Sequence, residues 1–369
     1  MQCEGFFPVR KSCGRSTVWW YSQRIMNWKQ TLATALVRHE WLGRPIKGAL
    51  RSRVVTHLPI YQKWVMNAAV KRTAALPTTK PWVLIETMLT CNARCKMCLH
   101  SERDMRGEMS MELYEKIIRE VAEWGIDTVS LSVYGEPFAD KHWLRRVEIA
   151  RQYGLNYEVV TNGSLLRPEV LERMFELGGW KKVIFSVNGF STEAYEEMMP
   201  PLKRDKVYAN VDMFLEMKRA SGAEFPEAQI SCVITNINAH ERHDFEKYWS
   251  AKPGVSKVLI ADCGDWLGEL PTAELTVKGS SPKHVADGGW LAPCPSPWEQ
   301  LTILYDGRVL PCCEDEAARS LVIGDTNLST VQEIFYGEPM NRLREAHLQN
   351  QRCSHEVCGK CKVNPPWLK

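Results

Sequence analysis

The sequence predicts an α/β chain in which repeated β/α units surround a mainly parallel sheet. Two observations carry this. From residue 82 short β-rich runs alternate with amphipathic helical stretches, and six such units fit into about 180 residues. With 369 residues, 44% hydrophobic and 25% charged, the chain also has enough apolar surface for one large core or two smaller ones.

The first strand, Trp82 to Glu86, leads into a cysteine-rich loop. Ser110 then caps a helix whose Leu113, Ile117, Val121 and Trp124 recur at helical spacing. A second strand, Thr128 to Val133, ends at Tyr134-Gly135-Glu136-Pro137. After a helix near Trp143 to Tyr153, the third strand, Tyr157 to Val160, ends at Thr161-Asn162-Gly163. Pro168 opens the next helix, where its missing N–H costs little. Lys182 to Val187 is the fourth strand, followed by Asn188-Gly189 and a helical region to Ala220 that Pro200-Pro201 must interrupt. Gln229 to Thr235 and Lys257 to Ala261 complete the series. Residues 263–293 are a Gly- and Pro-interrupted connector. A small cysteine-rich module spans 294–369, where Asp306-Gly307 predicts a hairpin between Leu301–Tyr305 and Arg308–Pro311, and Thr330 to His347 reads as one amphipathic helix. No internal repeat is present; a second Gly-Glu-Pro, at 337–339, lacks the strand context of the first.

The thirteen cysteines cluster at short spacings, which argues for metal ligation in a reducing, cytoplasmic compartment over a disulfide framework. Cys91, Cys95 and Cys98 lie on one short loop. Three thiolates suit a four-iron cluster with one iron left open, whereas a structural zinc site pairs cysteines two apart and closes four positions. A second set comprises Cys294, Cys312, Cys358 and Cys361, for which a structural zinc is the alternative; Cys313 and Cys353 are neighbours that compete as ligands. Cys3, Cys13, Cys232 and Cys263 have no ligand spacing. Arg94 and Lys96 inside the loop either bias a bound cluster or are solvated charges.

Residues 1–80 hold 14 Lys and Arg against Glu4 and Glu40, a balance of +12 in a chain of +3, so the rest carries −9. With Trp19, Trp20, Trp28, Trp41 and Trp64 this segment reads as a helical extension, either packed on the acidic body or laid on an anionic membrane surface. No nucleic-acid motif accompanies the charge. No apolar run is long enough to span a bilayer, and the first 25 residues lack a secretion signal; Met26 is read as the true start.

The Cys-x3-Cys-x2-Cys loop after an apolar strand resembles the radical SAM superfamily. Gly135-Glu136-Pro137 resembles that superfamily's GGE motif, with Tyr134 in place of the first glycine. Thr161-Asn162-Gly163 looks like its TNG turn, and Ser186-Val187-Asn188-Gly189 resembles the S-x-D-G of the SPASM branch, with Asn188 where aspartate is commoner. Met97 stands where an aromatic residue is usual. Cys294-x12-Gly307-x4-Cys312, then Cys358-x2-Cys361, resembles the SPASM pattern in its shortened twitch form.

The resemblance implies a partial (β/α)6 barrel and a three-cysteine [4Fe–4S] cluster that binds S-adenosylmethionine. It also implies one auxiliary [4Fe–4S] cluster and a flavodoxin- or ferredoxin-type reductant. Gly135, Glu136, Thr161, Asn162, Ser186 and Asn188 are implied to face the cofactor. In the family, reductive cleavage yields a 5′-deoxyadenosyl radical that takes hydrogen from substrate. The cysteine spacing is nearest that of the twitch-type 2-deoxy-scyllo-inosamine dehydrogenases, so the expectation is dehydrogenation or epimerisation of a carbohydrate-like or other small polar substrate. A peptide-modifying enzyme is the runner-up, and a non-enzymatic iron–sulfur or zinc carrier is the alternative of another class. No catalytic acid or base is assigned; Asp262, Asp265 and Glu269 beyond the sixth strand read as loop carboxylates.

Overall fold

The computed structural model describes residues 59–76, 80–264, 266–271, 274–277, 293–315 and 319–361. Most of the basic extension, including Met26, Cys3 and Cys13, lies outside these residues, as do most of the connector and Asp265. Val70–Val285 and Leu291–Lys369 form one compact unit. The only described part of the extension with regular structure is the helix α1 (Pro59–Ala74).

Six parallel strands form in sequence order: β1 (Trp82–Ile85), β2 (Thr128–Ser130), β3 (Asn156–Thr161), β4 (Trp180–Ser186), β5 (Glu227–Ile234) and β6 (Val255–Asp262). Their inward residues, among them Val83, Val129, Tyr157, Val183 and Ile230, have no exposure, as expected of strands covered by helical crossovers. Between them run α2 (Met111–Glu123), α3 (Trp143–Gln152), α4 (Pro168–Leu177), α5 (Thr192–Met198), α6 (Arg204–Ser221) and α7 (Arg242–Ser250). Ser110 caps α2 by accepting from Leu113 N at 3.1 Å, and the face it buries is Tyr114, Ile117, Ile118 and Val121; Leu113 and Trp124 flank that stripe half-buried. Pro168 opens α4, and the chain breaks between α5 and α6 at Pro200-Pro201.

Three expectations are corrected. Strand β2 stops at Ser130, because Ser132 Oγ accepts from Val160 N at 2.7 Å and substitutes for a ladder bond while the chain turns away. The helix read as Thr330 to His347 is two, α9 (Val331–Tyr336) and α10 (Glu338–Leu348). Extended backbone at Gly337 ends one and starts the other, and Pro339 in the first turn of α10 lacks the N–H to continue α9. The short helices α8 (Ser296–Glu299) and α11 (Glu356–Lys360) flank this pair in sequence.

The third correction concerns the hairpin. β7 (Gln300–Ile303) pairs in parallel with β1 over all four residues, and β8 (Arg308–Leu310) and β9 (Gly324–Asp325) follow antiparallel. The sheet therefore runs β6-β5-β4-β3-β2-β1-β7-β8-β9 through both halves of the chain. Just past β1, buried Glu86 accepts both Arg319 Nη1 and Nη2, at 2.9 and 2.6 Å, and Tyr305 N at 3.2 Å, which fastens the two halves beyond the ladder.

Candidate metal centre and active site

The loop bearing Cys91, Cys95 and Cys98 sits at the C-terminal end of β1 and is held by its backbone from several elements. Arg94 N donates to Pro200 O at 2.6 Å and Lys96 N to Met198 O at 3.0 Å, so the end of α5 and the following turn grip one side. Leu99 N donates to Tyr134 Oη and Trp266 Nε1 to Met97 O, both at 2.8 Å. Tyr134, the departure from the GGE pattern, thus braces the loop, and its ring stacks on His100. Arg94 folds back to donate to the Cys91 and Ala93 carbonyls at 2.9 Å, while Lys96 pairs with Glu197 near solvent.

Burial pushes the Cys91 thiol up to about 11 and the Cys95 thiol well above its ordinary range. Each is raised further by the other members of the set, so the three thiols share one enclosed spot. Loading such a site with metal requires the thiols to lose protons, and it becomes more favourable as pH rises toward those values.

The ends of β2 and β3 meet beside Cys91. Glu136 is buried and accepts from Phe138 N, Thr161 Oγ1 and Asn162 N, at 3.1, 2.7 and 2.7 Å. Burial raises its carboxyl to about 7 against these three donors. Both oxygens are committed to joining the strand ends, so Glu136 acts on the site through Thr161 and Asn162. Asn162 Nδ2 donates to Asn92 Oδ1 at 2.9 Å and lies 3.9 Å from Cys91 Sγ; Asn92 in turn donates to Ser164 Oγ. The cysteine loop and the TNG turn are therefore one network.

Gly135 is required by contact: a Cβ there would stand 2.2 Å from Met88 O and 2.7 Å from the Leu89 carbonyl carbon. Gly135→Ala is expected to cost about 3 kcal/mol and to lower iron at the three-cysteine site, read by thermal unfolding and iron analysis. Wild-type values for both would show that the backbone yields without cost.

Ser186 and Asn188 belong to a separate cluster. Ser186 Oγ meets Ser231 Oγ at 3.3 Å, and buried Asn188 accepts Val233 N at 2.8 Å with its amide turned to Met199 Sδ. These contacts stitch β4 to β5; no hydrogen bond of the described residues joins them to the cysteine loop. Asp262 is half-buried, and Glu269 pairs with Arg103 at 2.8 Å. Asn92, Tyr134 and Ser164 emerge only from the structure, as does Tyr195, a buried hydroxyl without a hydrogen-bond partner that feels the charges of Cys95 and Glu136. Their residue types carry no signal apart from their neighbours in space.

The second thiol set lines a single cavity: Cys294, Cys312, Cys358 and Cys361, with His347 and Arg352. Neither Cys313 nor exposed Cys353 is among its lining residues. Burial lifts Cys312 well above its ordinary value and Cys358 to about 12. In metal-free protein at pH 8, Cys353 is expected to alkylate before Cys91, Cys312 and Cys358, whose thiolate fractions are about 1 in 1,000 or less; equal labelling by peptide mass spectrometry would refute this.

Soft thiols without a carboxylate suit iron–sulfur clusters or zinc. Among the described residues no three His, Cys, Asp or Glu side chains gather at single-ion spacing. The sets thus fit a polynuclear cluster better than one zinc ion, which draws each sulfur to about 2.3 Å.

Residues 85–245 match the Radical SAM superfamily and residues 294–362 match SPASM, an iron–sulfur cluster-binding domain. The chain is thus a radical SAM superfamily protein with a C-terminal SPASM domain, and the cofactors these domains imply are a [4Fe–4S] cluster, S-adenosylmethionine and auxiliary iron–sulfur. Among its relatives, the tungsten-containing aldehyde ferredoxin oxidoreductase cofactor-modifying protein of Pyrococcus furiosus is 22% identical over 183 residues, 49% of this chain and 51% of that one. The mycofactocin maturase MftC of Mycolicibacterium smegmatis is 28% identical over 163 residues, 43% and 39% of the two chains. These matches span about half or less of each relative's length. In fold the chain is similar to SuiB of Streptococcus suis bound to its precursor peptide SuiA, with TM-score 0.59 and 13% identity over 91% of this chain and 85% of that. Among the described residues no helix is long and apolar enough to cross a membrane.

Proposed function

We propose that the protein is a radical SAM enzyme catalysing a redox-linked change, a dehydrogenation or epimerisation, in a carbohydrate-like or other small polar substrate. The observation that carries this reading is the unequal division of the thiols: three at the strand ends, four around a cavity of their own. When bound, the cofactors supply one-electron reduction of S-adenosylmethionine and hydrogen-atom abstraction at the first site, and a cluster with every iron protein-ligated at the second.

The chain's own residues would do the following. Cys91, Cys95 and Cys98 hold the first cluster. Gly135, Thr161 and Asn162 frame the space beside it for the amino-acid end of S-adenosylmethionine, with Glu136 fixing their backbone. Ser186 keeps a half-buried hydroxyl on the ribose side, and Asn188 sets the end of β4. Cys294, Cys312, Cys358 and Cys361 leave no iron open to substrate, which suits electron exchange and favours a redox-linked outcome. A flavodoxin- or ferredoxin-type protein would supply electrons, and residues 1–80 offer a basic surface for peripheral membrane contact. The second reading, a peptide-modifying maturase, draws on the likeness to a mycofactocin maturase and to a fold seen with a precursor peptide.

The deciding experiment is anaerobic reconstitution, iron analysis and chromatography of 5′-deoxyadenosine formed from S-adenosylmethionine with dithionite. About eight irons per chain are expected. Formation stimulated by aminocyclitols or sugars supports the first reading, stimulation by peptides alone moves the assignment to the second, and no cleavage with any reductant removes both.

A further inference from the structure

The cavity of the second thiol set also contains a polar group without a counterpart. His347 stands in the last turn of α10 with 1% of its surface exposed. Its Nδ1 accepts the Cys294 backbone N–H at 3.0 Å. A ring nitrogen that accepts keeps its lone pair, so the imidazole proton resides on Nε2. That N–H is buried with no hydrogen-bond partner among the described residues, although His347 lines the same cavity as the four thiols. Burial, with Arg352 and His355 adding to it, holds the ring far below its ordinary range, at about 3, and therefore neutral.

A buried N–H left unmade is costly, so its partner is to be sought in what the cavity is built to hold. Ligation to iron is excluded by the same geometry: Nδ1 is occupied by Cys294 and Nε2 carries a proton. We propose that His347 donates its Nε2–H to a sulfur of the auxiliary cluster and thereby raises that cluster's reduction potential, as a positioning residue and not a ligand. A donor aimed at cluster sulfur favours the more negative, reduced state. The inference rests on reading the cavity as the auxiliary-cluster site.

The test uses the full chain with Cys91, Cys95 and Cys98 replaced by alanine, which isolates the auxiliary cluster, and follows its reduction by EPR during a redox titration. His347→Phe is expected to shift the reduction equilibrium about tenfold toward the oxidised cluster, about 59 mV for one electron, with iron unchanged at about four per chain. His347→Gln, whose amide can both accept from Cys294 and donate, is expected to restore most of the shift. An unmoved potential in His347→Phe overturns the proposal.

Should His347→Phe fail to fold, pulsed EPR on the chain with 15N-labelled histidine decides. A weak nitrogen coupling with an exchangeable proton is expected; no coupling, or the strong coupling of a ligand, overturns it. If the chain lacking the first three cysteines takes up no iron, the cluster reading fails and the inference with it. Iron bound with an unmoved potential removes the inference alone.

Discussion

Replacing Cys95 by alanine is expected to halve the bound iron, to about four per chain, and to abolish 5′-deoxyadenosine formation. Cys95 is the central thiol of the loop, raised by burial and then by Cys98 and Cys91. The backbone on either side of it is bonded to Pro200 and Met198, so no neighbouring side chain can swing in to replace it. Cys294→Ala should produce the complementary result, losing the other half of the iron while S-adenosylmethionine cleavage persists. Cys353→Ser, at an exposed position outside the cavity lining, should change neither. Iron analysis and product chromatography on the three variants separate the sites; full cleavage by the Cys95 variant would remove the loop from the reaction.

Arg319→Met is expected to destabilise the protein by about 3–5 kcal/mol, since it leaves the Glu86 carboxylate buried without its cation. Glu86 has no exposure and Arg319 is 10% exposed, so water cannot take over the contact. Adding Glu86→Gln should recover much of the loss, because the remaining group is then neutral. Burial raises the Glu86 carboxyl, with Arg319 opposing that shift. Folded protein therefore holds the proton more tightly than unfolded chain, and above the ordinary carboxylate value stability falls as pH rises until the folded group has ionised. Without Arg319 the carboxyl rises further and this window extends upward. Urea midpoints should therefore show a larger penalty for Arg319→Met at pH 8 than at pH 5; a penalty independent of pH would mean that the guanidinium acts by packing alone.

Much of this architecture is legible in local sequence. The six parallel strands are apolar runs covered on both faces, so composition places them to within a few residues, and the cysteine loops declare themselves by spacing. Helix α9 and helix α10 were separable too, since Gly337 and Pro339 carry the stop and start within three residues. Pairings across long separations are not legible. Asp306-Gly307 forecasts a hairpin but holds no information on which strand that hairpin will join, and β1 lies more than 200 residues away. The polar residues at the strand ends show the same limit. Residue type makes Glu136 and Asn188 candidates for ligand contact, whereas their partners decide what they do. Glu136 spends its oxygens on Thr161, Asn162 and Phe138, and Asn188 accepts the backbone of β5. His347 is silent in sequence because its meaning depends on which ring nitrogen Cys294 occupies.

The parallel pairing of β7 with β1 determines how electrons can be timed in this molecule. A module tethered by a connector alone would have to swing into range, and turnover would then wait on diffusion of one lobe against the other. Here the strand that feeds the three-cysteine loop and the strand that follows Cys294 share four consecutive register positions, reinforced by Glu86 and Arg319. The separation of the two thiol sets is thereby a fixed length of the framework, present before substrate arrives and unchanged when product leaves.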